Sequence, residues 1–296
     1  MKQALSFKKD IQKVGLITKS SIGEHKSCLN KLIKFLLEED KEILVDSHAA
    51  KVFPKMKSHS RSEILKESDF VITLGGDGTI LKAARAVGRT KTLILGINFG
   101  TVGFLTETTP DKMIEILKKI VDGKYNIDRR SLLRTTLYRR NKKIETFLCL
   151  NDAVINQGAF ARLIEMDLEI DSRKLTTIKA DGLIIATPSG STGHALSAGG
   201  PVIHPKIDGL TVTPICPTSL SMRSIVLPDN RQLTVRIGTR RREATAAIGL
   251  TLDGQNMIDL QFGDRITFRR SKRFFYMART GNRYYKMLRQ KLGWGA

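Results

Sequence analysis

The stretch Asp69-Phe-Val-Ile-Thr-Leu-Gly-Gly-Asp-Gly-Thr-Ile-Leu-Lys-Ala-Ala-Arg-Ala-Val87 changes its hydrophobic period at its glycines. Asp69 to Leu74 is a short apolar run, the pattern of a strand buried on both faces. From Thr79 to Val87, residues Ile80, Leu81, Ala84 and Val87 fall on one face at helical spacing. Gly75, Gly76 and Gly78 interrupt the chain between the two. A buried strand that runs through a glycine turn into a helix is part of a βαβ unit. In such units ligands gather at the carboxyl ends of the strands.

Working outward, the same alternation repeats. Val14 to Thr18, Ile43 to Val45 and Thr92 to Ile97 read as further short strands. His25 to Glu39 carries Leu29, Leu32, Ile33 and Leu36 at helical spacing. Pro110 to Val121 reads as a second amphipathic helix, with Pro at its start and Gly123 past its end. The expected first domain is therefore α/β with a mostly parallel sheet, over residues 1–127. Beyond Asp128 the pattern changes. Arg134 to Tyr138, Glu145 to Gln157, Glu165 to Asp171, Leu183 to Thr187, Gln232 to Ile237, Thr245 to Leu252 and Arg265 to Phe268 read as strands joined by short turns. Residues 128–275 are expected to form a β-rich, sandwich-like domain. A helical tail, Arg283 to Leu292, closes the chain within residues 276–296.

Composition bounds the function. The 296 residues are 41% apolar and 27% charged, which suits a packed globular protein and not a disordered chain. Apolar runs such as Gly182 to Ala186 are far too short to span a bilayer, and no secretory signal follows the N-terminal lysines. Cys28, Cys149 and Cys216 are widely spaced with no CxxC, which disfavours a disulfide scaffold or a zinc site and fits a reducing cytoplasm. Lys plus Arg (50) exceed Asp plus Glu (29) by 21. Such a balance fits nucleic acid or anionic small molecules. No helix-turn-helix, RNP-like or zinc-finger motif accompanies the charge, so nucleic acid is disfavoured as a partner. The Arg240–Arg242 cluster and the 269–291 stretch fall outside every chemical motif, and are expected as a solvated face or a subunit interface.

Two clusters carry chemistry. Gly75-Gly76-Asp77-Gly78-Thr79 matches neither the GxxxxGK phosphate loop nor the GxGxxG dinucleotide fingerprint. Its glycines allow close backbone approach to phosphate at a helix N-terminus. A carboxylate there would repel phosphate unless it binds a divalent cation or accepts a proton from an attacking hydroxyl. The competing reading is that Asp77 caps the helix. The second cluster runs from Lys179 to Pro201, where a strand enters a bend rich in glycine and hydroxyl side chains. Ser189-Gly-Ser-Thr-Gly193 lacks the spacing of a nucleophile elbow, which excludes serine hydrolysis.

Gly75 to Thr79, Asn151-Asp152, Asp181-Gly182 with Ala186 to Thr192, Ser197 to Pro201 and Asp253-Gly-Gln255 occur together and in order. This constellation resembles bacterial NAD kinases, over roughly Val14 to Trp294. The Asp181–Pro201 segment is the most specific part, since lipid kinases and phosphofructokinases share related glycine-aspartate turns. The resemblance implies a C-terminal tail that packs back on the first domain. It also implies transfer of the γ-phosphate of ATP to the adenosine ribose 2′-hydroxyl of NAD, with Asp77 orienting or deprotonating that hydroxyl. Gly75, Gly76, Gly78 and Thr79 would hold the phosphate donor, and Mg²⁺ would accompany ATP, with no structural metal bound by the protein. Gly78, Phe104, Asn151, Asp152, Arg162, Lys179, Asp181, Thr192, Gly193, His194, Ala195, Leu196, Ser197, Cys216 and Gln255 would contact NAD. His194 stands where the family usually has Tyr. A cytoplasmic homodimer or homotetramer is implied, with no membrane partner. The rival readings are a diacylglycerol- or sphingosine-type lipid kinase and a basic nucleic-acid-binding protein.

Overall fold

The structure, a computed structural model, describes residues 11–87, 91–158, 163–238 and 248–294. Arg162, the Arg240–Arg242 cluster and the first residues of the strand expected from Thr245 lie outside the described residues. The chain divides into two compact units, Met1–Arg129 with Phe275–Ala296, and Arg130–Phe274.

In the first unit, β1 (Lys13–Thr18), β2 (Glu42–Val45), β3 (Phe70–Leu74) and β4 (Leu93–Ile97) lie in the order β2-β1-β3-β4, every pair parallel. Tyr276 and Met277 add a further parallel partner to β4, so the C-terminal segment completes this sheet. Strands β3 and β4 are buried at every residue, as strands covered on both faces must be. The helices are α1 (Lys26–Glu38), α2 (Ser47–Val52), α3 (Arg61–Glu67), α4 (Asp77–Arg85) and α5 (Met113–Val121). α1 buries Leu29, Leu32, Phe35 and Leu36, and α5 buries Met113, Ile116, Leu117 and Ile120. α3 opens on a capping box, in which Ser60 Oγ accepts from the Glu63 N–H while the Glu63 carboxylate accepts from the Ser60 N–H. α4 starts at Asp77, three residues before Ile80, the first apolar residue of its stripe. α5 starts only at Met113, so Pro110 stands outside it.

The second unit is built from antiparallel strands. Its elements are β5 (Asn126–Arg139), β6 (Lys142–Cys149), β7 (Asp152–Gln157), β8 (Ile164–Ile170), β9 (Arg173–Ala180), β10 (Gly182–Ala186), the short helix α6 (His194–Ser197), β11 (Gly209–Ile215), β12 (Ile225–Pro228), β13 (Leu233–Ile237), β14 (Ile248–Leu252), β15 (Asn256–Leu260) and β16 (Arg265–Arg279). One sheet has the order β12-β11-β10-β7-β14-β15. In the other, the first residues of β16 pair with β13, then β8 and β9 follow. Their facing side chains, among them Ile155, Leu183, Ile185 and Leu250 from one sheet and Met166, Leu168, Val235 and Phe268 from the other, form one core cluster. β10 is buried on both faces. Leu183 and Ile185 face that core, while Ile184 and Ala186 pack with Ala195 of α6.

The single strand expected over Glu145 to Gln157 is two, β6 and β7, parted at Leu150-Asn151. The final helix, α7 (Tyr284–Leu292), buries Met287 and Leu288. Trp294, just past this helix, is 51% exposed.

Candidate active site

The turn after β3 is shaped by contacts that no side chain could survive. Gly75 has φ +151°, and a Cβ there would collide with Thr79 Oγ1. Its N–H donates to the Ile97 carbonyl at 2.9 Å, so this amide belongs to the backbone framework and does not point at a phosphate donor. The Thr79 N–H is likewise committed, to the Gly76 carbonyl at 2.9 Å, and Thr79 is buried. The amides of Gly75 and Thr79 therefore hold the turn together. Gly76, Asp77 and Gly78 are the accessible residues of the turn. They open α4 and lie at the positive end of its dipole.

Asp77 does not cap its own helix; Gly76 is the N-cap and makes no side-chain cap bond. The carboxylate reaches instead to the loop after β4. Oδ2 accepts from the Phe104 N–H at 3.0 Å, and Oδ1 accepts from the Leu105 and Thr106 N–H groups at 3.3 and 3.2 Å. A carboxylate offers about four acceptor positions. These amides occupy three and leave one on Oδ2, on a half-buried side chain. The approach requires Gly103, where a Cβ would lie 2.5 Å from Asp77 Cγ and closer still to both oxygens. Lys19 stands beside the turn, its Cβ 3.2 Å from where a Gly75 Cβ would sit and its ammonium 5.1 Å from the Phe99 ring centroid. His25 stacks on Phe99 at 3.9 Å. None of Lys19, His25 or Gly103 carries a signal in spacing alone.

In the second unit the expected residues fall at the two ends of β10. At the Ala186 end, Asp253 is the centre. Its carboxylate accepts from the N–H groups of Leu150, Asn151 and Asp152 at 3.1, 2.8 and 3.2 Å, and its own N–H donates to the Asp152 carbonyl at 2.9 Å. The Asn151 carbonyl accepts from the Thr187 N–H at 2.8 Å, and Gly190 packs so closely on Asn151 that a Cβ would lie 2.5 Å from its carbonyl carbon. Asn151 Oδ1 is buried with no hydrogen-bond partner. Asp152 is buried, and that burial, reinforced by the nearby charge of Asp253, pushes its carboxyl up to about 7. Ser189 Oγ, in the same bend, accepts from Arg130 Nη1 at 3.0 Å.

At the Gly182 end, Asp181 Oδ1 accepts from Gln157 Nε2 at 2.9 Å and the Asp181 N–H donates to the Ile215 carbonyl at 3.0 Å. Cys216 follows directly, exposed and with φ +45°. Lys179 is exposed and pairs with Glu165 at 3.2 Å. The α6 stretch lies on the outer face of β10, with His194 and Ser197 exposed, Thr192, Gly193 and Leu196 partly so, and Ala195 buried. Gln255 is exposed in the β14–β15 turn. Phe104 is half-buried in the first unit, in the loop that Asp77 holds. Asp253 enters the sequence reading only as part of the Asp253-Gly-Gln255 motif, with no role of its own, and Arg130 and Gly103 are given none.

Residues 14–125 match the N-terminal domain of ATP-NAD kinases, and residues 150–280 match the C-terminal domain. The chain belongs to the ATP-NAD kinase family. It is similar to the NAD kinase of Geotalea daltonii, with 42% identity over 266 residues, 90% of this chain and 92% of that protein. It is 40% identical to the NAD kinase of Magnetococcus marinus over 95% of this chain and 93% of the other. Among solved structures it resembles yeast NADH kinase complexed with NADH, at a TM-score of 0.88 and 25% identity, covering 97% of this chain and 89% of that one. It also resembles an NAD kinase from Archaeoglobus fulgidus in complex with ATP, at a TM-score of 0.74 and 26% identity, covering 95% and 99%. As a member of the ATP-NAD kinase family the chain is a phosphotransferase that uses ATP to phosphorylate NAD. Membership displaces the lipid-kinase and nucleic-acid readings. No helix among the described residues is long and apolar enough to cross a membrane.

Proposed function

We propose that the acceptor atom is the adenosine ribose 2′-hydroxyl of NAD and that Asp77 takes its proton. As the 2′-oxygen bonds to the γ-phosphorus, the bond from that phosphorus to the β,γ-bridging oxygen breaks and ADP leaves. The proton moves to the one acceptor position on Asp77 Oδ2 that the loop amides leave open. The observation that carries this reading is the three-amide cradle of Phe104, Leu105 and Thr106, which fixes a half-buried carboxylate beside a helix N-terminus. A base held at hydrogen-bond distance contributes about 10²–10⁴-fold. Gly76 and Gly78, at the opening of α4, bind the donor phosphates, with Gly75 and Thr79 shaping the turn.

NAD is held along β10. Asn151 and Asp152 serve its hydroxyls; the unpartnered, buried Asn151 Oδ1 is an acceptor in need of a donor, and supports that role. Thr192 to Ser197, on the outer face of β10, and Asp181, Cys216 and Lys179, at its Gly182 end, engage the rest of the ligand. Asn151 and Asp181, at opposite ends of β10, lie about 20 Å apart by strand rise, a spread that suits an elongated dinucleotide. Phe104, Gly78, Gln255 and Arg162 complete the proposed contacts. Among the described residues no cluster of three or more His, Cys, Asp or Glu side chains could hold a metal ion. Mg²⁺ in this reading arrives on the phosphates of ATP, whose charge it neutralises. The working form is a cytoplasmic homodimer or homotetramer.

The test is to incubate the protein with NAD, ATP and Mg²⁺ and assay NADP with an NADP-specific dehydrogenase. Asp77→Asn is expected to lower kcat by at least 10²-fold. Full activity in that variant would remove Asp77 from the chemistry.

A further inference from the structure

Arg279 ends β16 in the basic stretch expected as a solvated face or interface, yet its side chain is only 15% exposed. Its guanidinium is spent on the Asp77 loop. Nη2 donates to the Phe104 carbonyl at 3.1 Å, and Nη1 donates to the Thr106 carbonyl at 3.1 Å and to Glu107 Oε2 at 3.2 Å. Nε donates to Asp128 Oδ2 at 3.1 Å. The neighbouring Thr280 adds its N–H and Oγ1 to Glu107 Oε1 at 2.9 and 2.8 Å, and Arg283 Nη1 donates to the Glu107 carbonyl at 3.1 Å. Glu107 is 2% exposed.

The Phe104 carbonyl and the Leu105 N–H belong to one planar peptide unit. Arg279 holds that unit by its oxygen, and Asp77 Oδ1 accepts from its nitrogen. A rotation that freed the carbonyl would swing the N–H away from Asp77. Each bond also polarises the other through the same amide. Resting on the reading of Asp77 above, we infer that Arg279 is a positioning residue for phosphoryl transfer: it fixes the loop amides that aim the Asp77 carboxylate at the substrate hydroxyl. The alternative is an arginine that only ties the C-terminal segment to the loop.

A double-mutant cycle on kcat separates the two. Arg279→Gln is expected to lower kcat about 10²-fold, the effect of roughly 1 Å of misplacement at a reacting group, with the KM values for NAD and ATP within threefold of wild type. In an Asp77→Asn background the same change should alter the residual kcat by less than threefold, because the group being aimed is gone. Arg279→Gln leaves the buried Glu107 short of its partner, so Arg279→Lys is measured alongside. Lysine keeps the charge beside Glu107 and Asp128 but lacks the planar fork that spans two carbonyls. About tenfold loss and the same dependence on Asp77 are expected of it. Equal losses of kcat in both backgrounds, or wild-type kcat in Arg279→Lys, would overturn the inference and leave the role of Asp77 standing. Full kcat in Asp77→Asn alone would sink both.

Discussion

Replacing Gly103 by Ala adds one methyl group and places it against Asp77, the proposed base. The backbone there does not have positive φ, so alanine meets no conformational penalty and the effect isolates the contact. The added carbon would lie 2.5 Å from Asp77 Cγ. Ordinary carbon contacts begin near ~3.5 Å, so carboxylate and loop must separate by about 1 Å. A shift of that size at a reacting group costs about 10²-fold in rate. It also stretches the amide bonds from Phe104, Leu105 and Thr106, all between 3.0 and 3.3 Å, beyond useful length. Each bond to a charged acceptor is worth about 1.5–3 kcal/mol. The carboxylate is half-buried and regains water as it retreats, so the expected loss of stability is about 1–3 kcal/mol in total. Initial rates of NADP formation at saturating NAD and ATP give kcat, and thermal unfolding gives the stability change. Gly100→Ala is the control, because the nearest atom to its methyl would be Asn98 Oδ1 at 4.0 Å. A kcat for Gly103→Ala within twofold of wild type would refute the reasoning that the three-amide cradle sets the catalytic geometry.

The second unit offers two further tests. Asp152 is held near 7 by burial and by the charge of Asp253, against an unfolded value of about 3.9. The folded state therefore keeps a proton that the unfolded state releases between about pH 4 and 7. Stability should fall as pH rises through that window and level off above it, by at most on the order of 4 kcal/mol. Asp152→Asn should flatten this part of the stability–pH curve; an unchanged slope in urea titrations would exclude Asp152 as its source. Asp253→Asn keeps the size of the side chain but turns one acceptor into a donor against the amides of Leu150, Asn151 and Asp152. A loss of about 1–3 kcal/mol is expected, read as a lower unfolding midpoint, and a midpoint equal to wild type would contradict the assigned hub.

The first unit was largely legible because its strands are continuous apolar runs and its longer helices carry full stripes, as in α1 and α5. α2 and α3, of six and seven residues, are too short for a period to show. In the second unit β9 was missed because its residues Arg173 to Thr177 are nearly all exposed, so no apolar alternation marks it. β6 and β7 merged into one expected strand because the break at Leu150-Asn151 is made by Asp253, about a hundred residues along the chain. The site divides the same way. Asp77 and the Asp181–Pro201 segment announce themselves locally. Asp253-Gly254 reads as a hairpin turn, which it also is, between β14 and β15. Arg279 reads as one more basic residue in a basic tail. Its partners lie more than 150 positions away, and no local pattern encodes that pairing.

Asp77 and Asp253 use one device in two settings. Each carboxylate accepts three consecutive backbone amides of a distant segment, residues 104–106 in one case and 150–152 in the other. Each arrangement needs close backbone approach, by Gly103 against Asp77 and by a positive φ at Asp253 itself. What separates them is access. Asp253 is 5% exposed and turned inward, so its remaining capacity faces protein and its role is to hold Asn151 and Asp152 in place. Asp77 is only half-buried, at a helix N-terminus, so the acceptor position it keeps is not enclosed by protein as that of Asp253 is. The same three hydrogen bonds thus make one aspartate a structural clamp and leave the other, in the reading proposed above, to receive a proton. Burial, not residue type or local spacing, decides which is which.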